Sequence, residues 1–186
     1  MVGVALLTAI VVALQLVGSF IRFGQFSVSL VLIPIVVGTA LYGWKGGSWL
    51  GLVFGITVLI SGDAALFLNV NIAGTIITVL LKGILAGLIS GLAYKAFEKK
   101  NQYLGVVVAA VVCPLVNTGV FLIGCSLFFM DTIRQMADGA GFGSEVGTFM
   151  IVGLVGLNFV FELVVNMVLS PVIVRVINIG KKEIKQ

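Results

Sequence analysis

Residues 69–94, NVNIAGTIITVLLKGILAGLISGLAY, form an apolar stretch of helical length with one lysine, Lys82, near its centre. A charged side chain at that depth in a bilayer is costly unless it is paired or faces water, so it is a candidate for a functional site. Gly83, Gly87 and Gly91 follow at every fourth position, a spacing that lets another helix approach closely. The stretch therefore predicts both a ligand-binding side chain and a docking face for a neighbouring helix.

The composition of the whole chain is that of a membrane protein. Of its 186 residues, 60% are hydrophobic and 10% are charged, and the mean hydropathy is +1.26. Soluble domains carry about 25% charged residues. We predict an all-α integral membrane protein, a single membrane domain over residues 1–186. Since a spanning helix needs about 20 residues, six spans are expected, at about residues 2–21, 28–42, 48–61, 72–94, 103–129 and 148–176.

Positive charge is divided unevenly between the polar breaks. The breaks after the second and fourth spans, together with the C-terminal tail, hold eight lysines and arginines, whereas the other side holds only Arg22 and Arg134. Lys and Arg accumulate on the cytoplasmic side, so both termini are predicted to be cytoplasmic. This distribution accounts for the net charge of +4, and no nucleic-acid partner is expected.

Polar side chains on different spans reach a similar depth. At the rise of an α-helix, Lys82, Asn117 and Asn158 lie about 15 to 18 Å from the outer ends of their spans. Glu162 is one turn from Asn158 and shares its helical face. We predict a hydrophilic cavity that opens outward, with Lys82 as its cation. The candidate substrate-binding residues are Lys82, Asn117, Asn158, Glu162, Thr78 and Asn71.

Two other interpretations remain open. Lys82 and Glu162 can form a buried ion pair that only fixes the register of two helices, with Asn117 and Asn158 as interhelical hydrogen-bond partners. The protein would then be a structural membrane subunit. Alternatively, the chain is a stand-alone secondary carrier or a small channel, although its two halves show no inverted repeat.

The sequence lacks the motifs of enzymes and metal sites. Residues 38–46, GTALYGWKG, have the glycine spacing of a P-loop, but Trp44 interrupts the required Gly-Lys-Ser/Thr. Histidine is absent, and Cys113 and Cys125 lie about 18 Å apart on one predicted helix, too far to pair. We therefore predict no catalytic activity, no metal and no cofactor bound by this chain, so any energy source belongs to a partner.

Three passages make the chain resemble the substrate-binding S components of energy-coupling-factor (ECF) vitamin transporters. They are the stripe of Ala5, Ala9 and Ala13, the passage IPIVVGTALYGWKGG at 33–47, and the passage CPLVNTGVFLIG at 113–124. The resemblance implies that the alanine stripe docks on a transmembrane T component driven by two cytoplasmic ATPases, which use ATP. It also implies a pocket in spans four to six that captures a vitamin from outside, a lid that includes residues 63–71, and a prokaryotic plasma-membrane location.

The resemblance also narrows the choice of substrate. Trp44 stands where members of the family often have proline. The acidic or lysine-rich residues that precede this passage in riboflavin-type members are missing before Ile33, which argues against riboflavin. A cationic Lys82 favours an anionic vitamin. Pantothenate is therefore the first expected substrate and folate the second.

Overall fold

A computed structural model describes residues 2–20, 22–23, 26–27 and 30–184 of the chain. Its described part is mostly helical, with one short antiparallel hairpin in which residues 22–23 pair with residues 26–27. The predicted start of span two, at residues 28 and 29, lies outside the described residues. In chain order the elements are α1 (Val2–Gly18), β1 (Arg22–Phe23), β2 (Phe26–Ser27), α2 (Leu32–Ile60), α3 (Ala65–Leu68), α4 (Ile72–Glu98), α5 (Gln102–Phe128), α6 (Met130–Gly139), α7 (Val146–Thr148), a π-helical segment (Phe149–Leu154) and α8 (Gly156–Ile184).

Among the described residues, α4, α5 and α8 are long and apolar enough to cross a membrane as single helices, and α2 also has the length and composition but reverses at Gly43. The α1 helix is equally apolar but has only 17 residues. The α4 and α5 helices begin within one residue of the predicted spans. The predicted sixth span, 148–176, covers the π-helical residues 149–154 and most of α8, which starts at Gly156. The all-helical membrane architecture thus follows the sequence pattern, with shifted helix ends.

The α2 helix is a hairpin that folds back on itself at Gly43. This residue has φ 71° and ψ −173°, a left-handed φ that glycine adopts without a steric penalty. A Cβ atom on Gly38 would collide with the side chain of Leu50, and one on Gly47 would collide with Thr39. Residues 38 and 50 of a straight helix would be about 18 Å apart, so residues 32–42 and 44–60 run antiparallel. The structure reverses at the single residue Gly43, whereas the predicted spans 28–42 and 48–61 left residues 43–47 for the turn.

The glycines of α4 pack against residues 44–60, so the neighbouring helix that their spacing predicts belongs to the same chain. A Cβ atom on Gly83 would collide with the carbonyl oxygen of Gly51, and one on Gly47 would lie 2.6 Å from the carbonyl oxygen of Gly87. We call this contact between residues 44–60 and α4 the glycine seam. Its partner glycines have the same four-residue spacing, which is why the two backbones meet.

The α1 helix packs against α2 with one side only. Val11 and Gln15 are buried on the inner side, whereas Ala5, Ala9 and Ala13 are all exposed. The exposed side also carries large apolar residues such as Val17, at 60% exposure. The alanine stripe is therefore uncovered within the part of the chain that the structure describes.

The predicted polar break over residues 130–147 contains an amphipathic helix. The α6 helix buries Ile133 and Ala137. It packs with Phe67, Phe129 and Phe149 into an apolar cluster that is separate from the main core and that we call the second apolar cluster. Cys113 and Cys125 are both buried and free. The second cluster lies beside the short connection 61–71, and together they cover one end of the bundle.

Candidate functional site

One cavity lies among α1, α2, α4, α5 and α8, under the connection that carries Asp63 and Phe67. Its volume is about 70 Å³, several times what one water molecule needs. Its polar lining residues are Gln15, Asp63, Lys82, Asn117, Thr118, Asn158 and Glu162, and its apolar ones are Val58, Ala64, Phe67, Val79, Phe121, Val155 and Phe159.

The structure brings four of the six predicted site residues to this cavity. Lys82 on α4, Asn117 on α5, and Asn158 and Glu162 on α8 all line it. They come from three helices, and the agreement arises because the rise per residue of a helix fixes the depth of each side chain. Their common location is the basis for treating the cavity as a ligand site.

Lys82 faces both aromatic rings and carboxylates. Its Nζ lies 5.4 Å from the ring centroid of Phe54 and 5.4 Å from that of Phe121, within the range of cation–π attraction. The carboxylates of Glu162 and Asp63 also attract this ammonium group. Lys82 is thus held in an electronegative surrounding at the edge of a cavity rather than directed at lipid.

Asn158 and Glu162 form one polar face of α8. The Asn158 Nδ2 donates a hydrogen bond of 3.4 Å to Glu162 Oε1, and the Glu162 side chain is only 4% exposed. Asn166, one turn further, is buried but does not line the cavity. The π-helical segment Phe149–Leu154 precedes this face, and such segments often occur at functional sites.

Asn117 contributes a buried amide from the middle of α5. It is 5% exposed, and its Oδ1 has no hydrogen-bond partner among the described residues. Thr118 lines the cavity beside it. A buried carbonyl oxygen without a partner is unusual in a folded protein, so Asn117 provides an unused acceptor at the site.

Two predicted site residues lie elsewhere. Asn71 is the N-cap of α4, where its Oδ1 accepts a hydrogen bond of 2.9 Å from the backbone N–H of Gly74. Thr78 is buried against Gly124 of α5. Neither lines the cavity, because α4 turns this side of its N-terminal half toward other parts of the chain. An asparagine directly before an apolar helix is the usual signature of a cap, and that signal was present in the sequence.

Gln15 and Asp63 line the cavity but were not among the predicted binding residues. The Gln15 Nε2 donates a 2.6 Å hydrogen bond to Asp63 Oδ2, and Ser61 Oγ donates to the same oxygen at 3.2 Å. Gln15 is 1% exposed. A glutamine within an apolar span was a usable signal, whereas Asp63 was expected only as part of the lid over residues 63–71 and not as a binding residue.

Aromatic rings close the cavity on the side of α3. The Phe67 ring meets Phe121 edge to face at a centroid distance of 5.7 Å and Phe129 at 4.9 Å. Phe67 and Phe121 line the cavity, while Phe129 lies in the second apolar cluster. Part of the predicted lid, residues 63–71, is thus in position above the polar residues.

Comparisons with known proteins point to one family. The model of the ECF transporter substrate-specific component matches residues 2–174. A pantothenic acid transporter, PanT, of Lactococcus lactis subsp. cremoris is 26% identical over 91% of this chain and 89% of its own length. No solved structure matches the chain.

Proposed function

The chain belongs to the family of ECF transporter substrate-specific components, and from this premise we propose that it captures a water-soluble vitamin from outside the cell for an ATP-driven importer. The family and the relative are transporter components rather than enzymes. The prediction of a non-catalytic membrane transport subunit is therefore confirmed, and what remains to be assigned is the ligand, its site and the partners.

The observation that carries the proposal is the polar cavity in an otherwise apolar bundle. Lys82, Asn117 and Glu162 converge there from three helices. Side chains that only fixed helix register would need no space beside them, whereas here Lys82 and Glu162 border a cavity. Ligand pockets combine apolar walls with a few convergent polar groups, and this lining has that character.

Pantothenate is the first candidate ligand and folate the second. The relative is a pantothenic acid transporter, although at 26% identity. The Lys82 ammonium offers a binding partner to a ligand carboxylate, and bringing in an anion offsets part of the cost of burying the lysine. Phe67 and Phe121 supply apolar contact for the remainder of the molecule.

We further propose six spans with both termini in the cytoplasm of a prokaryotic cell. The reversal at Gly43 supports separate second and third spans within α2. The distribution of lysine and arginine supports the orientation. In this topology the cavity and the connection 61–71 face the outside, as ligand capture requires.

The proposed partners are a transmembrane T component and two cytoplasmic ATPases. The exposed stripe of Ala5, Ala9 and Ala13 supports α1 as the contact with the T component, because small residues let helices approach closely in a membrane. This chain would bind no cofactor itself, and ATP would be consumed by the partners.

The decisive experiment is to purify the protein and identify what it binds. Mass spectrometry of molecules released by denaturation should detect a vitamin, and titration calorimetry should then measure pantothenate binding to ligand-free protein. Co-expression with a T component and two ATPases should give ATP-dependent uptake. Proton-driven uptake without partners would instead identify a stand-alone carrier, and the absence of any bound molecule would favour a structural subunit.

A further inference from the structure

Helices α1 and α5 each bring to the cavity a buried oxygen atom that has no hydrogen-bond donor among the described residues. Gln15 Oε1 and Asn117 Oδ1 have no partner among the described residues, and their side chains are 1% and 5% exposed. Both residues line the cavity. Buried acceptors are nearly always satisfied by protein or by an ordered molecule, so these two oxygens mark places where a bound molecule is expected to donate.

The hydrogen bond between Gln15 and Asp63 determines that the amide oxygen of Gln15, and not its nitrogen, is available to a ligand. An ionised carboxylate can only accept hydrogen bonds, so the amide nitrogen of Gln15 must face Asp63, at 2.6 Å. Its oxygen is thereby kept as an acceptor. Gln15 lies on α1, so the recognition surface extends beyond the three helices that carry Lys82, Asn117 and Glu162.

We infer that Gln15 and Asn117 recognise the ligand by accepting hydrogen bonds from its hydroxyl or amide N–H groups. The inference rests on the proposed function and adds the chemical class of the ligand, a carboxylate that also carries hydroxyl or amide donors. Lys82 binds the carboxylate, and the two acceptors select the neutral polar part. Pantothenate has this combination of groups, and a simple fatty acid does not.

The test compares Gln15→Met with a matched substitution, Gln102→Met. Methionine keeps the length of the side chain and removes its acceptor. Gln102 makes an exposed hydrogen bond to Asn178, 2.9 Å long and away from the cavity, so it controls for the chemical change itself. The probes are pantothenate and its analogue that lacks the hydroxyl groups, each measured by calorimetry on ligand-free protein.

The wild type and Gln102→Met should bind pantothenate at least about 10-fold more tightly than the dehydroxylated analogue. Gln15→Met should bind pantothenate about 10-fold more weakly and bind the analogue almost unchanged, so that discrimination falls. Equal weakening of both probes would mean that Gln15 only supports Asp63, and it would overturn the inference. Asn117→Leu provides a second variant, on a different helix, with the same expected pattern.

The outcome also separates this inference from the proposed function. If pantothenate fails to bind but another vitamin is released from the purified protein, the same cycle is run with that vitamin and its analogue without donors. A released ligand with no hydroxyl or N–H group would overturn the inference and leave the receptor function intact. A released ligand with such groups, discriminated through Gln15, would support it.

Discussion

At the scale of single residues, the surroundings of the Lys82 side chain are the central feature of the site. The ammonium lies between the rings of Phe54 and Phe121 and is attracted by the carboxylates of Glu162 and Asp63. These contacts stabilise a charge at a depth where lipid alone would not. They also hold the ammonium beside the cavity, where a ligand carboxylate can approach it.

We expect Lys82→Met to weaken pantothenate binding by at least about 30-fold, because removing one partner of a buried charge pair costs about 2 to 5 kcal/mol. Calorimetry on purified protein would measure the loss. Lys100→Met is the matched control, since Lys100 is exposed and distant from the cavity lining. Unchanged affinity in Lys82→Met would remove the lysine from the site.

The sequence predicted the depth of polar residues better than their direction. Lys82, Asn117, Asn158 and Glu162 reached one cavity because distance along a helix follows from counting residues. Thr78 has a suitable depth but faces Gly124, since the rotation of α4 is set by packing that the sequence does not display. Membership of the site therefore depends on helix rotation, which is a property of the folded bundle.

At the scale of helices, the glycine seam fixes the relation between residues 44–60 and α4. The backbones touch at Gly51 and Gly83 and again at Gly47 and Gly87. Spacing in the sequence correctly predicted a close helix contact, but it could not tell an internal neighbour from a separate subunit. The decisive signal was a second glycine stripe of the same period in the preceding span.

We expect Gly83→Ala to destabilise the protein by about 1 to 3 kcal/mol, because its Cβ atom would press on the Gly51 carbonyl and the helices would have to separate. Gly119→Ala is the control, since nothing lies within 4 Å of its Cβ position on α5. That control should be neutral or stabilising by up to about 1 kcal/mol. Thermal unfolding in detergent measures both, and equal melting temperatures would contradict the seam.

The exposed alanine stripe on α1 leads to a separate prediction about docking on the T component. Ala9→Trp should leave vitamin binding intact and abolish uptake in the complete importer, because a large side chain would keep the T component away from the exposed stripe. Ile123→Trp places the same residue at a position on α5 that is 61% exposed and should be tolerated. Transport assays in cells or liposomes compare the two, and normal uptake in Ala9→Trp would exclude docking through this face.

At the scale of the whole molecule, topology is the property to be measured. We expect a cysteine at position 138 to react with a membrane-impermeant maleimide in intact cells and a cysteine at position 45 to react only after lysis. The variants are Asp138→Cys and Lys45→Cys, both at exposed positions. Background labelling should be low because Cys113 and Cys125 are buried. The reverse pattern would invert the proposed orientation.

Much of this overall architecture could be anticipated because the bilayer leaves few choices. Apolar helices must satisfy their own backbone groups, so long apolar runs such as α4 and α5 were recognisable as helices. The hairpin at Gly43 was predicted as a longer turn, and the amphipathic α6 helix was not predicted at all. Such irregular segments depend on local contacts, and periodicity carries little information about them.

The glycine seam has a mechanical consequence. Where two helices are in backbone contact, with no side chains between them, they cannot slide or roll past one another by switching rotamers. We therefore expect the two helices to move as one rigid body. Any enlargement of the cavity for a vitamin must then come from displacement of α1, α5, α8 or the connection 61–71 relative to these two helices. Spin labels on residues 44–60 and α4 should accordingly keep a constant separation through the transport cycle.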